Sequence, residues 1–116
     1  MPTSPSDLDL LQGTLDVLVL KSLLAGPMHG FEITSWLEGR SDGALEIEDS
    51  ALYQALHRME ERGLIAAEWG VTENNRRARY YKATAQGRAH LGAETKKWVR
   101  YAETVTRILT APPRTA

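Results

Sequence analysis

The chain contains no cysteine, which excludes disulfides, thiolate metal sites and thiol catalysis and fits a reducing cytoplasm, the compartment expected here. It also lacks a long hydrophobic run. The one apolar stretch, residues 15–25, is shorter than the roughly 20 residues a membrane span needs and carries Asp16 and Lys21. The residues before it do not have the basic-then-apolar layout of a secretory signal, so neither export nor membrane association is expected. No nucleophile elbow, phosphate-cradling glycine loop or metal-ligand spacing occurs. His29, His57 and His90 are not spaced as ligands. No enzyme activity, metal or cofactor is therefore expected. A charge excess is missing too: 14 basic and 15 acidic residues leave a net charge of −1, which on totals alone argues mildly against a nucleic-acid partner. Phosphate responds to local field rather than to the sum, and here the signs are segregated. Asp42, Glu46, Glu48 and Asp49 stand together, and so do Arg76, Arg77, Arg79 and Lys82.

At 116 residues with 42% hydrophobic and 25% charged side chains, the composition is that of an ordinary soluble protein. The length suits one domain with a modest core whose stability leans on a partner. Residues 1–7, with two prolines and two serines, read as a flexible arm. Residues 8–25 place leucine and valine on nearly every face of a helix, which predicts burial all round, against both its own domain and a second subunit. Gly26-Pro27 ends it. A second helix is expected from about His29-Gly30 to Gly39, with Phe31, Ile33, Trp36 and Leu37 as its apolar face. A polar turn follows, and the alternation across residues 44–48 allows a very short strand. The third helix opens at Asp49 or Ser50 as N-cap. It presents Leu52, Ala55, Leu56 and Met59 on one face, with Tyr53, Gln54, His57 and Glu61 on another, and closes at Gly63. Residues 65–71 and 79–83 are strand-like, joined by a turn over 72–78. Tyr80 and Tyr81 must point to opposite faces of their strand, one of them into the core. Trp36 and Trp69 are expected in the core. The last helix covers residues 84–109, where Leu91, Thr95, Trp98, Ala102, Val105 and Leu109 recur at alternating steps of four and three. That spacing is a heptad seam for a partner helix, with Thr95 and Ala102 leaving room for a pocket. Residues 111–116, with Pro112-Pro113, are expected to be disordered.

An amphipathic helix that ends at a glycine and runs into a hairpin tipped by Asn74-Asn75-Arg76-Arg77-Ala78-Arg79 is the layout of a winged helix-turn-helix. The fold expected is mainly α with a small β-hairpin, a winged helix-turn-helix over residues 8–84 followed by a long dimerisation helix over 85–110. The unit offers a helix to the major groove of double-stranded DNA and a cationic wing to the backbone beside it. Candidate DNA contacts are Ser50, Tyr53, Gln54 and His57 on the third helix and Arg76, Arg77 and Arg79 on the wing. Glutamine pairs with adenine, whereas serine and tyrosine more often hold phosphate. His29 is a candidate for either a phosphate contact or the cap of the second helix. Arg58, among Glu60, Glu61 and Arg62, is most simply part of a solvated or intrasubunit ion-pair face. Candidate dimer contacts are Leu11, Leu15, Leu18, Leu91, Trp98, Val105 and Leu109.

Several ordered words carry a resemblance. They are Gly13-Thr14-Leu15-Asp16 with Val19-Leu20, Gly26-Pro27-Met28-His29-Gly30-Phe31-Glu32-Ile33, Leu52-Tyr53-Gln54-Ala55-Leu56-His57-Arg58-Met59-Glu60, Gly63-Leu64-Ile65, Arg79-Tyr80-Tyr81-Lys82-Ala83-Thr84 and Gly87. In this order and spacing the chain resembles the PadR family of bacterial transcriptional regulators, over about residues 11–91. The resemblance implies a homodimer with a winged-helix domain and a C-terminal dimerisation helix, most often a repressor. The short C-terminal part is similar to the small subgroup, which has one long helix there. Some of that subgroup hold flat aromatic effectors in a cavity at the dimer interface, which makes Trp98 a candidate ligand contact as well as dimer core. Two positions depart from the family pattern: Gln54 replaces the usual proline after Leu-Tyr, and Asn74-Asn75 stands where a glycine usually precedes the wing arginines. Asparagine tolerates positive φ, so a tight turn is still open to the chain.

The leading expectation is thus a homodimeric repressor on a pseudo-palindromic operator with half-sites about one helical turn apart. A ligand-sequestering dimer with vestigial DNA binding is the alternative, which the retained wing arginines oppose. A winged-helix protein-interaction module would need an apolar exposed face on the third helix, and that face is polar.

Overall fold

A computed structural model describes residues 13–115. The arm expected over residues 1–7, the beginning of the first helix and Leu11 lie outside the described residues. Gly13, at φ 86°, takes a left-handed conformation and leads into α1 (Thr14–Ser22). Leu15, Val19, Leu20 and Leu23 are buried on one side of α1, while Val17, Leu18 and Leu24 pack at the margin of the core. Within the single chain one side of α1 is buried and Lys21 is exposed. Ser22 sits in the core with its hydroxyl donating to the Val19 carbonyl at 2.6 Å.

Helix α2 (Gly30–Arg40) starts with a reciprocal capping box. The Glu32 N–H donates to His29 Nδ1 at 3.4 Å, and the His29 N–H donates to the Glu32 carboxylate at 3.1 Å. Ile33, Thr34 and Leu37 are buried and Trp36 is half-buried under the Arg40 guanidinium. Phe31 does not join this face; it is 75% exposed. At 100° per residue it lies about 200° around the helix from Ile33, on the far side.

Residues 44–48 form no strand. Asp42 and Gly43 both have positive φ and turn the chain, and Ile47 anchors the segment by burial. The free edge of β2 pairs instead with Met28, through Met28 N–H to the Tyr81 carbonyl (3.0 Å) and Tyr81 N–H to the Met28 carbonyl (2.8 Å). Helix α3 (Asp49–Glu61) begins one residue earlier than a cap at Asp49 requires and two earlier than a cap at Ser50: Glu48 is the N-cap, with no side-chain cap bond. Asp49 lies in the first turn, where its charge complements the helix dipole. Leu52, Ala55, Leu56 and Met59 are buried, as the spacing predicts. The helix closes on a Schellman motif at Gly63 (φ 75°): Gly63 N–H bonds the Glu60 carbonyl and Leu64 N–H bonds the Met59 carbonyl.

Strands β1 (Ile65–Val71) and β2 (Arg77–Ala83) pair antiparallel from Ile65 opposite Ala83 to Val71 opposite Arg77. The turn is shorter than the expected 72–78, so β2 takes in Arg77 and Ala78. Asn75, at φ 61°, makes the tight reversal that a glycine would otherwise provide. Of the two tyrosines, Tyr81 is the buried one. Trp69 shares its face of the hairpin but is 59% exposed rather than core, because the hairpin runs past the edge of the domain. From Ile65 to Trp69 the strand has risen about 13 Å.

Helix α4 (Ala85–Leu109) is capped by Thr84, whose hydroxyl accepts from the Gly87 N–H at 3.0 Å. Leu91 is buried in the shared core; beyond it α4 stands largely away from the domain. Residues 111–115 form neither helix nor strand and are exposed.

Gly87 packs its backbone directly on Leu64, and a β-carbon there would occupy the space of the Leu64 carbonyl oxygen. Gly87→Ala is therefore expected to destabilise the chain by about 1–3 kcal/mol in urea unfolding. Gly39→Ala, in the exposed part of α2 with open space around it, is expected to stabilise by about 0.4–1 kcal/mol. Equal effects of the two changes would contradict this packing.

Candidate nucleic-acid interface

Helix α3 turns Ser50, Tyr53, Gln54 and His57 to solvent at steps of three, one and three residues, so they share a face. His57 Nε2 lies 2.8 Å from the Glu61 carboxylate one turn on. The flanks of α3 are tied down by two longer-range ion pairs. Arg58 reaches Asp16 of α1 at 2.9 Å, which fixes its role within the chain, and Glu60 receives Arg79 of β2 at 2.9 Å. All four side chains keep some exposure, so each pair contributes about 0.2–1 kcal/mol. Their value lies in orientation: the helix is held on one side by α1 and on the other by the wing.

The three wing arginines are not equivalent. Arg76 stands at the turn, its N–H donating to the Thr72 hydroxyl at 3.2 Å. Arg77 lies with its guanidinium carbon 4.6 Å from the Trp69 ring centre. Arg79 is committed to Glu60 and lies 5.9 Å from the centre of the Tyr81 ring. Arg76, Arg77, Arg79, Tyr53 and Phe31 line one open cleft of about 890 Å³ between the wing and the helices. Tyr53 leans over the start of α2, where its hydroxyl leaves no space for a β-carbon on Gly30. His29 also borders this cleft, but it is engaged as the α2 cap and meets the Tyr80 ring edge-on at 5.4 Å. Lys82 lies on the opposite face of the hairpin, among Ala66, Glu68, Gly70 and Tyr80. The Tyr81 hydroxyl is pushed above its usual pKa, first by burial, with the Arg79 charge opposing the shift.

A second feature lies away from the wing. An apolar groove of about 730 Å³ runs between α1 and α4, walled by Val17, Leu18, Leu24, Leu91, Trp98 and Val99. Trp98 is 43% exposed. Of the residues with expected dimer contacts, Leu15 and Leu91 are buried in the chain's own core. Leu18, Trp98, Val105 and Leu109 keep solvent-accessible surface.

Sequence reasoning missed Phe31 and Trp69 as surface residues, and it missed Val99, Tyr101 and Ile108, which widen the apolar surface of α4 beyond the seam. The signal for Phe31 was its angular offset from Ile33 and Leu37. The signal for Ile108 and Val99 was their position next to seam residues, which gives a broader stripe than a and d alone. Among the described residues no group of three or more His, Asp or Glu side chains is placed to hold a metal ion. No described helix is long and apolar enough to cross a membrane.

Residues 19–93 match the family model described as the transcriptional regulator PadR-like family. An uncharacterized protein of Lysinibacillus sphaericus is 28% identical over 97 residues, which is 84% of this chain and 89% of the relative. Among solved structures, a transcriptional regulator from Clostridium thermocellum is similar with a TM-score of 0.75 at 26% identity, covering 83% of this chain and 90% of its own. A PadR family transcriptional regulator from Eggerthella lenta superimposes with a TM-score of 0.73 at 30% identity, covering 87% of this chain and 86% of its own.

The raised pKa of Tyr81 sets the sign of a pH effect. The folded chain holds the phenolic proton more tightly than the unfolded chain. The associated stability is fully present below the unfolded value near 10 and is lost as pH rises through the higher folded value. Urea unfolding between about pH 9 and 11 is expected to show a steeper loss for the native chain than for Tyr81→Phe. Parallel pH profiles would refute the assignment.

Proposed function

This chain belongs to the transcriptional regulator PadR-like family, a family of DNA-binding regulators rather than enzymes, and on that premise we propose that it is a homodimeric, cytoplasmic repressor of transcription. In this reading residues 8–84 bind DNA, and residues 85–110 hold the two subunits together. Each subunit places α3 in a major groove of a pseudo-palindromic operator, with half-sites about one helical turn apart. Gln54 and His57 face the base edges, Ser50 and Tyr53 meet the flanking phosphates, and Arg76 and Arg77 reach the backbone from the wing. Arg79 serves the same strand while oriented by Glu60.

The observation that carries this reading is the joint placement of an exposed polar face on α3 and a cleft lined by three arginines beside it. The overall charge of −1 does not oppose it, since counterion release depends on the phosphates contacted and not on the molecule's total. The apolar surface of α4 supports the dimer. Trp98, Val99, Tyr101, Ile108 and Leu109 are all exposed in the single chain, an arrangement that a second subunit relieves. The groove beside Trp98 is of the size that holds small organic ligands. A flat aromatic effector bound there releases the operator by favouring a subunit arrangement that cannot span both half-sites.

Fluorescence anisotropy with the duplex upstream of the protein's own gene, against a scrambled duplex, tests the reading. Binding is expected to prefer the upstream duplex. The log–log salt slope is expected to flatten in Arg76→Ala/Arg77→Ala by about 0.9 for each phosphate that is no longer neutralised. Sedimentation is expected to give a dimer that Trp98→Glu weakens. A monomer at micromolar concentration, or a double variant that binds with an unchanged slope, would count against the proposal.

A further inference from the structure

Two large aromatic side chains that periodicity assigned to the core are instead on the surface, and both stand in the arginine-lined cleft. Phe31 is 75% exposed on the first turn of α2 and Trp69 is 59% exposed on β1. A cleft meant for phosphate alone has no use for them: rings of this kind are poor phosphate partners, and arginine, lysine and backbone N–H groups suffice. They also lie apart from the α1–α4 groove, whose walls are other residues, so a second subunit seated in that groove does not cover them.

We propose that Phe31 and Trp69 are nucleic-acid contacts that pack against the deoxyribose rings of the strand whose phosphates the wing arginines hold. A sugar–phosphate backbone alternates an anionic group with a ring whose C–H faces are apolar. The cleft offers both kinds of surface, cationic and aromatic. Arg77 lies 4.6 Å over the Trp69 ring, which joins a cation for phosphate to a flat apolar surface beside it. Phe31, one residue on from Gly30, over which the Tyr53 hydroxyl leans, lines the same cleft from α2. Three arginines outnumber the two carboxylates, Glu32 and Glu73, that also line the cleft, which favours a polyanion over an apolar peptide as its occupant, and the rings match the sugars between the charges. The same surfaces disfavour a ribose strand, because a 2′-hydroxyl pressed against a ring loses its water. The inference rests on the proposed DNA-binding reading and adds to it contacts that are independent of base sequence.

Apolar contacts release no counterions, so they change affinity without changing its salt dependence. That separates them from the arginines. Anisotropy with a labelled mixed-sequence DNA duplex, between about 50 and 200 mM salt, is expected to show Phe31→Ala binding about five- to tenfold more weakly at every salt concentration. Its log–log line should run parallel to that of the native chain, whereas Arg76→Ala gives a flatter line. Phe31→Leu, which keeps much of the apolar area, should recover part of the affinity. Trp69→Phe should bind nearly as the native chain does, and Trp69→Ala should bind more weakly. Thermal midpoints of the two Phe31 variants should match the native value, since the ring supports no core. Native-like affinity of Phe31→Ala, or weaker binding accompanied by a flatter slope, overturns the sugar-packing role and leaves the DNA reading intact. Absence of any duplex binding by the native chain overturns both.

Discussion

Three successive carbonyl groups at the end of α3 are all taken by the first turn of α4. Gln86 donates to the Arg62 carbonyl at 3.4 Å, the Thr84 hydroxyl to that of Gly63 at 2.7 Å, and the Thr84 N–H to that of Leu64 at 3.1 Å. Gly87 closes the join by lying flat on Leu64. At this junction α3, the base of the wing and α4, the helix proposed to hold a partner subunit, meet within a few residues. The hydrophobic core explains why the domain is stable; the junction explains why its three working parts hold fixed directions relative to one another. Only glycine permits the approach at 87, and the left-handed turn at 63 likewise favours one, so two small residues set the geometry on which both surfaces depend.

Charge works on a more local scale. The chain is nearly neutral overall, and several of its arginines are engaged: Arg58 with Asp16, Arg79 with Glu60, Arg40 and Arg77 over tryptophan rings. These partners cost little affinity for an anion, because exposed pairs are weak and exchange readily, but they keep long side chains from wandering. In the cleft Arg77 and Arg79 are thus already oriented, which would lower the entropy lost in the proposed binding of a strand.

How far the sequence could be read depended on which force placed each residue. The helices, the hairpin and the Gly63 stop follow from local chemistry, so their approximate positions were legible: Leu52, Ala55, Leu56 and Met59 fall where their spacing puts them. Errors arose where tertiary placement decides. Residues 44–48 alternate as a strand does, yet Met28 takes the edge of β2. Trp69 sits on the core face of β1, but the core ends before it. Phe31 was grouped with a face it does not share. Glu48 rather than Asp49 or Ser50 caps α3 without a side-chain bond, a choice made by the chain's path out of the preceding loop. The ion pairs from α3 to α1 and to β2 join residues far apart in the chain, 42 and 19 positions respectively, and no local pattern announces them.

Helix α4 also has a mechanical consequence. It is gripped at its first turn and at Leu91, and its remaining length, roughly 27 Å at 1.5 Å per residue, is a lever arm. A tilt of about ten degrees at the grip carries the tip sideways by about 5 Å, close to one helical pitch. Small rearrangements beside Gly87 and Leu91 are thereby magnified at the far end, and a load on the far end is felt, reduced in travel and increased in force, at the carbonyls that terminate α3.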